Sequence, residues 1–319
     1  MILTTPLLRL LKEREPSCET HFVIKAKYAD LIRSNPNVNR VHLVQDEAEV
    51  HSLENLRRVL RQERFDTTLD LQNNFRSIYL RRDTSKDIRI IRKDIVKRWL
   101  LVNMKLNFYS AIRSVPLKYA QTLDESISEI TGTELHIPPQ AATKIEHLWK
   151  ESLSDGRKAI IFCPGARHFT KRWPVDYWEA LGKSLASDYS IIILGGTEDK
   201  EICMSIARAC GGRSLAGDLS LIESAALLGY AEAVVTNDSF LMHAADALGK
   251  KVIAIFGSTV KELGFFPSGR ATRIIEVNGL SCRPCSHIGR EKCPRGHFRC
   301  MLESTPEIVG QRLAQLTGR

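Results

Sequence analysis

The chain has 319 residues, 43% of them hydrophobic, and a formal net charge of +9. That length predicts roughly two domains of about 150 residues each, and the apolar content suffices for a sizeable core. No apolar run approaches the ~18 residues that a membrane-crossing helix requires, so the expected partners of so basic a chain are soluble or superficial: nucleic acid, an anionic membrane surface or a phosphorylated substrate. Eight cysteines are too few in a chain of this length to make a secreted disulfide scaffold.

The first residues, Met1 to Leu11, form an amphipathic pattern with Pro6 in its first turns, and no small-residue cleavage site follows, so a helix is expected here rather than a leader. Strands are predicted at 21–25, 41–44 and 65–71, with a helix around 49–63. A second series begins at Lys158: strand 158–163, helix 174–186, strand 189–194, helices 198–209 and 221–229, strand 232–236, helix 241–248 and strand 251–256. Alternation of this kind predicts an α/β fold with parallel sheets covered on both faces. The Pro-containing stretch near 132–142 is the expected boundary, giving Rossmann-like domains at 1–140 and 141–319 that face one another across a cleft. The chain opens on a helix where such a domain opens on a strand, so the first strand of the first domain is expected to be missing.

The residues that carry chemistry follow strand ends. Strand 158–163 runs into Cys163-Pro164-Gly165-Ala166-Arg167-His168-Phe169-Thr170-Lys171-Arg172-Trp173-Pro174, a loop with three cations and a proline suited to the first helical position. Such a loop is either a solvated basic segment or a clamp for a diphosphate leaving group, in which Lys171 offsets the charge that grows as a glycosidic bond breaks. Gly195-Gly196-Thr197-Glu198-Asp199 follows strand 189–194. The glycines allow close approach of a ligand, and an acid just beyond suits a ribose diol as well as it suits the first turn of a helix. Ser220 and Glu223 match a capping box.

The most informative stretch is Thr236-Asn237-Asp238-Ser239-Phe240-Leu241-Met242-His243. A buried-type strand ends in polar residues, and a helix starts at once. Either Asp238 or Ser239 can be its N-cap, and free N–H groups at such a start bind phosphates. A carboxylate repels a phosphate, so Asp238 or His243 is expected to order sugar hydroxyls or the loop while backbone N–H groups hold the anion.

Together these stretches resemble the bacterial heptosyltransferases of glycosyltransferase family 9. The likeness covers nearly the whole chain. Its carriers are T-N-D-S-x-L-M-H-x-A-x-A-L-G (Thr236 to Gly249), V-I-A-I-F-G-S-T (Val252 to Thr259), P-G-A…K-R-W-P (Pro164 to Pro174) and the tail L-S-C-R-P-C…C-P-R-G-H-F-R-C-M (Leu280 to Met301). The tail looks most like the second type of these enzymes. The resemblance implies two Rossmann-like domains in the GT-B arrangement and an inverting transfer of heptose from ADP-heptose to the phosphorylated lipid A-core acceptor of lipopolysaccharide, with no metal or other cofactor in catalysis. It implies Lys171 and Asp238 as catalytic residues. Gly165, Ala166, Arg172, Glu198, Asn237, Ser239 and His243 would bind the donor, with Glu198 at the ribose. On the acceptor side it implies Thr4 and Thr5, at the start of the first helix, and Asn74 and Arg76 in the loop Asp70 to Ser77. A Gly-Asp pair precedes that first helix in the family, its aspartate being the general base. The pair would fall before Met1 and no residue from Met1 to Pro6 is an acid, so a start assigned too late, or an inactive chain, is expected.

Residues 81–98 hold eight Lys or Arg (Arg81, Arg82, Lys86, Arg89, Arg92, Lys93, Lys97, Arg98) interleaved with Ile88, Ile91 and Ile95, and Trp99 follows. This is either a solvated face or a docking patch for the anionic inner leaflet, which would place the protein in the cytoplasm, peripheral at the inner membrane. No nucleic-acid motif is present, so nucleic acid is not an expected partner. Cys282-x2-Cys285-x7-Cys293-x6-Cys300 is compatible with a structural tetrathiolate zinc site, with His287 and His297 as substitutes, equally with free thiols, and less so with a disulfide. Two other functions fit the same residues: a non-catalytic nucleotide-sugar binder that has lost its base, and a GT-B transferase or epimerase with another donor.

Overall fold

A computed structural model gives the fold and describes residues 1–45 and 50–318. The chain divides into two compact units, Met1–Asp94 with Arg113–His136, and Ile95–Ile112 with Ile137–Arg319. The division at 136/137 lies inside the Pro-containing stretch. The excursion of 95–112 into the second unit departs from the expected 1–140 domain, and its contacts explain it. Leu101 is buried, Lys105 Nζ donates to Pro284 O at 2.7 Å, and Asn107 Nδ2 donates to Glu262 Oε1 at 3.3 Å.

In the first unit the order is α1 (Thr5–Arg14), β1 (His21–Lys25), β2 (Arg40–Val44), α2 (Val50–Gln62), β3 (Phe65–Asp70), α3 (Phe75–Arg81) and β4 (Ser85–Ile90). The excursion carries α4 (Ile95–Trp99) and a π-helical turn, and α5 (Val115–Leu123) returns to the first unit. Residue 49, where a helix was expected to begin, lies outside the described residues. One wound sheet was expected in this unit. Among the described residues there are two separate parallel pairs, β1 with β2 and β3 with β4. Each has its own small core: Leu8, Ile24, Ala29 and Ile32 in one, Val44, Leu60 and Leu80 in the other. β4 was hidden in the basic run because its sequence, Ser-Lys-Asp-Ile-Arg-Ile, is charged at three of its six positions.

The second unit continues with α6 (Pro139–Leu148), β5 (Ala159–Cys163), α7 (Val175–Leu185), β6 (Ser190–Ile193), α8 (Lys200–Cys210), β7 (Arg213–Ser214), α9 (Leu221–Leu228), β8 (Ala231–Asn237), α10 (Phe240–Ala247), β9 (Val252–Phe256), β10 (Thr272–Glu276), α11 (Arg299–Leu302) and α12 (Pro306–Thr317). Its six strands are all parallel in the order β10-β9-β8-β5-β6-β7. Numbered within the unit this is the Rossmann order 3-2-1-4-5-6, and the chain reverses direction between β5 and β8. β5 and β9 are buried at every position and β8 at all but Glu232, as a sheet covered on both faces requires. Trp178 and Leu181 on the buried side of α7 pack in one core with Phe162 and Trp173. No helix among the described residues is long and apolar enough to cross a membrane.

Candidate functional site

Ligands of open α/β sheets bind at the carboxyl ends of the strands where the strand order reverses. Here that point lies between Cys163, the last residue of β5, and Asn237, the last of β8. The residues singled out in the two sequence motifs converge on it.

Lys171 leaves a short 3-10 turn, Phe169–Lys171, and its Nζ lies 2.6 Å from Asp238 Oδ2. Thr259 Oγ1 donates to the same oxygen at 2.8 Å. Both side chains of the ion pair are largely buried, Lys171 15% and Asp238 7% exposed, so the ammonium is held in place at the strand ends instead of sampling solvent. Thr259 escaped the sequence reading as a site residue. Its signal was its place, in Phe256-Gly257-Ser258-Thr259 directly after a buried strand. Gly257 is required there: a Cβ would fall 2.7 Å from Thr170 O, and Ser258 N–H donates to that same carbonyl at 3.2 Å.

Asp238 and Ser239 were alternative caps for α10. Ser239 takes the N-cap position, and its side chain makes no capping bond. Asp238 is committed to Lys171 and Thr259. The first N–H groups of α10 therefore lack side-chain acceptors, which is the condition for binding an anion. His243, one turn into the helix, is half-buried. Desolvation lowers its pKa to about 4 against the pull of Asp238 and Asp246, so it is a neutral hydrogen-bonding group at pH 7.

Asn237, expected to bind the donor, has both polar groups of its side chain engaged within the protein. It is fully buried; its Oδ1 accepts from Trp173 N–H at 3.2 Å and its Nδ2 donates to Pro164 O at 2.7 Å. It ties the two ends of the β5–α7 loop to the end of β8. Trp173 completes the anchor, 2% exposed and with its indole Nε1 donating to Ser304 O at 2.6 Å. In Lys171-Arg172-Trp173 the lysine pairs with Asp238 at the strand ends and the tryptophan fixes the loop.

Arg172 Nε donates to Ala166 O at 2.6 Å, and its Nη2 lies 3.6 Å from Asp199 Oδ1. Ala166 is itself buried. Asp199 is buried, accepts from Gly196 N–H at 3.2 Å and has its pKa raised by desolvation. Gly165 is needed beside it, since a Cβ there would lie 2.2 Å from Asp199 Oδ2. Of the two adjacent acids, Asp199 thus braces the β5 and β6 loops. Glu198 is exposed, with its carboxylate over Gly196.

The residues implied for the acceptor are differently placed. Thr5 is buried; its Oγ1 donates to Ile2 O at 2.8 Å and accepts from Glu134 N–H at 3.0 Å. Thr4 Oγ1 donates to Met1 O at 2.6 Å. Asn74 caps α3, accepting from Ser77 N–H at 3.0 Å while its own N–H donates to Ser77 Oγ at 2.9 Å. These three side chains are engaged in shaping the first unit. Arg76 has no ion-pair partner among the described residues, and Phe75 beside it is 95% exposed. Asp70 organises the loop, taking N–H groups of Gln72 and Asn73 at 2.9 and 2.7 Å and the Arg81 guanidinium at 2.5 Å.

The four late cysteines line one cavity. Among the described residues no three His, Cys, Asp or Glu side chains stand grouped at ligand spacing.

A six-stranded Rossmann sheet, a buried lysine at its switch point and an uncapped helix start form an arrangement suited to phosphorylated ligands at strand ends. The profile of glycosyltransferase family 9 (heptosyltransferase) matches residues 53–294, and the chain belongs to that family of glycosyltransferases. It is 26% identical to lipopolysaccharide heptosyltransferase 2 of Salmonella typhimurium over 345 aligned positions, covering 99% of this chain and 94% of that protein. Among solved structures it is similar to ADP-heptose lps heptosyltransferase II of E. coli (TM-score 0.76, 22% identity, 99% of this chain and 95% of that one). A family 9 glycosyl transferase from Veillonella parvula is also similar (TM-score 0.81, 18% identity, 99% and 93%). These likenesses show the α/β GT-B fold class.

Proposed function

We propose that the protein transfers heptose from ADP-heptose to the phosphorylated inner core of lipopolysaccharide, inverting the anomeric carbon and using no metal in the chemical step. The similarity to a lipopolysaccharide heptosyltransferase and to an ADP-heptose enzyme supports the substrates. The observation that carries the reading is the Lys171–Asp238 pair beside the uncapped start of α10. A fixed ammonium and free N–H groups stabilise the charge that develops on a departing diphosphate, the task a divalent cation performs elsewhere.

In this reading Lys171 and the first N–H groups of α10 hold the diphosphate, with Arg172 beside them. Glu198 takes the ribose hydroxyls. Neutral His243 orders the sugar, and Asp238 and Thr259 aim Lys171. Arg76 meets acceptor phosphate. Ile95, Val96 and Trp99 are exposed beside Lys97 and Arg98 on α4, an apolar–basic face suited to an anionic leaflet, where each basic residue contributes about 1 kcal/mol. In this reading the protein works in the cytoplasm, peripheral at the inner membrane.

Calorimetry across ADP- and UDP-sugars tests the donor: ADP-heptose binds most tightly, and equal affinity for UDP-sugars would refute it. Transfer to a heptose-free core acceptor, followed by NMR of the anomeric proton, reads the stereochemistry. Equal rates with and without added Mg2+ or Mn2+ are expected. Tight donor binding with no transfer would mark a non-catalytic nucleotide-sugar binder.

A further inference from the structure

Between β10 and α11 the chain runs for residues 277–298 with no helix or strand. A structureless stretch of this length in a compact unit needs something to hold it. It is not on the donor sheet, yet it supports the loop that carries Lys171. Thr170 N–H donates to Arg290 O at 3.1 Å, Arg290 N–H donates to Thr170 Oγ1 at 2.8 Å, and Phe298 stacks on Phe169 with ring centroids 4.8 Å apart. Arg283, between Cys282 and Pro284, donates to Gly257 O at 2.6 Å and Thr259 O at 2.8 Å. The same segment therefore braces both loops that meet at the Lys171–Asp238 pair.

Under this segment lies a cavity of about 200 Å³ onto which Cys282, Cys285, Cys293 and Cys300 all open. Four further observations concern its contents. Lys105, Arg283, Arg290 and Arg295 also line it, four positive charges around four thiols. Ser258 lines it with a hydroxyl that is buried and has no hydrogen-bond partner, an orphan that calls for an occupant. His297 Nε2 stands 3.8 Å from Cys282 Sγ. Its Nδ1 accepts from Arg299 N–H at 3.1 Å, so the ring proton of the neutral imidazole sits on Nε2 and points at the sulfur.

We propose that Cys282, Cys285, Cys293 and Cys300 bind one soft cation of the zinc class as a tetrathiolate, with His297 donating to Cys282 Sγ from outside the ligand shell, and that this ion braces the loop bearing Lys171. Thiolate ligands select zinc or iron over hard cations. Binding releases four thiol protons and leaves a site of charge −2 around a divalent ion, which the surrounding Lys and Arg side chains offset. The sulfurs are not yet at ligand spacing; one rotamer step moves a thiol sulfur by about 3 Å, within the cavity they share. His287, the other candidate substitute, does not line it.

The full chain purified without chelator is expected to carry about one equivalent of zinc or iron, which elemental analysis distinguishes. Its four late cysteines should resist a thiol reagent until the metal is stripped. Cobalt(II) added to the stripped protein should give thiolate charge-transfer and tetrahedral d–d bands. C293S should lose the metal and the cobalt spectrum, C18S should keep both, and H297A should weaken metal affinity about 10- to 100-fold while keeping the tetrathiolate spectrum. If C293S does not fold, the cobalt spectrum of the unaltered protein decides. Less than about half an equivalent of any metal, with the four thiols reactive or joined as disulfides, would overturn the proposal. So would a cobalt spectrum that survives C293S. Metal content is read without any transfer assay, so the result stands apart from the fate of the proposed reaction.

Discussion

Asn237→Ala separates a residue that binds a ligand from one that holds a loop. The side chain is fully buried and makes two bonds, from Trp173 N–H at 3.2 Å and to Pro164 O at 2.7 Å. Alanine removes both and leaves a buried amide and a buried carbonyl without partners, each costing about 1–3 kcal/mol. The sum, about 2–6 kcal/mol, is large beside a typical domain stability of about 5–15 kcal/mol. With a urea slope of about 2–3 kcal/mol/M, the unfolding midpoint of the second unit should fall by roughly 1–2 M. Far below that midpoint the folded variant still presents Lys171 and the start of α10, so donor affinity measured by calorimetry should fall much less than stability suggests, by under about tenfold. An unchanged urea midpoint together with a large loss of donor affinity would refute this reasoning and return Asn237 to direct contact with the donor.

Lys171→Ala removes one charge-assisted bond to phosphate, worth about 1.5–3 kcal/mol, so donor affinity should drop about 10- to 150-fold by calorimetry; a loss of less than threefold would show that the diphosphate lies elsewhere. Gly165→Ala forces a Cβ to within 2.2 Å of Asp199 Oδ2 and should cost about 1–3 kcal/mol. Most of that cost should vanish in an Asp199→Ser background, and strict additivity of the two changes would argue against the close approach. Desolvation raises the folded pKa of Asp199, so its proton favours the folded state. The stability this contributes is complete below the unfolded value of about 3.9 and is lost as pH rises through the folded value. Asp199→Asn should abolish that part of the pH dependence of the urea midpoint above pH 4, gaining on the parent protein as pH rises; parallel curves would refute the shift.

The second unit was legible because its strands are continuous apolar runs and its helices carry their own stop signals, such as Gly211 with positive φ after α8. β7 and β10 were missed for physical reasons: one is a two-residue edge, and the other, Thr-Arg-Ile-Ile-Glu at the opposite edge of the sheet, has only two adjacent apolar residues and neither a continuous apolar run nor an alternation. In the first unit the pairing of β3 with β4 depended on a strand whose charges resembled a solvated face. Asn74 was legible as a residue of interest but not as the cap of α3, because an exposed cap and a ligand contact use the same side chain; Thr4 and Thr5 turn inward to backbone carbonyls, which no local pattern announces.

What the sequence could not separate, at the candidate site itself, is which polar residues are engaged within the protein and which are left open. Asn237, Asp238 and Ser239 are consecutive and chemically alike in their capacity to bond. Their fates diverge through partners far along the chain: Pro164 and Trp173 for Asn237, Lys171 and Thr259 for Asp238, and no side-chain capping bond from Ser239. Glu198 and Asp199 diverge in the same way, because only Asp199 reaches the Gly196 N–H and Arg172. Each division is made by loops from other strands that arrive at the switch point. Such long-range contacts leave no local pattern, so a motif dense in polar groups identifies a site sooner than it identifies the atoms that act there.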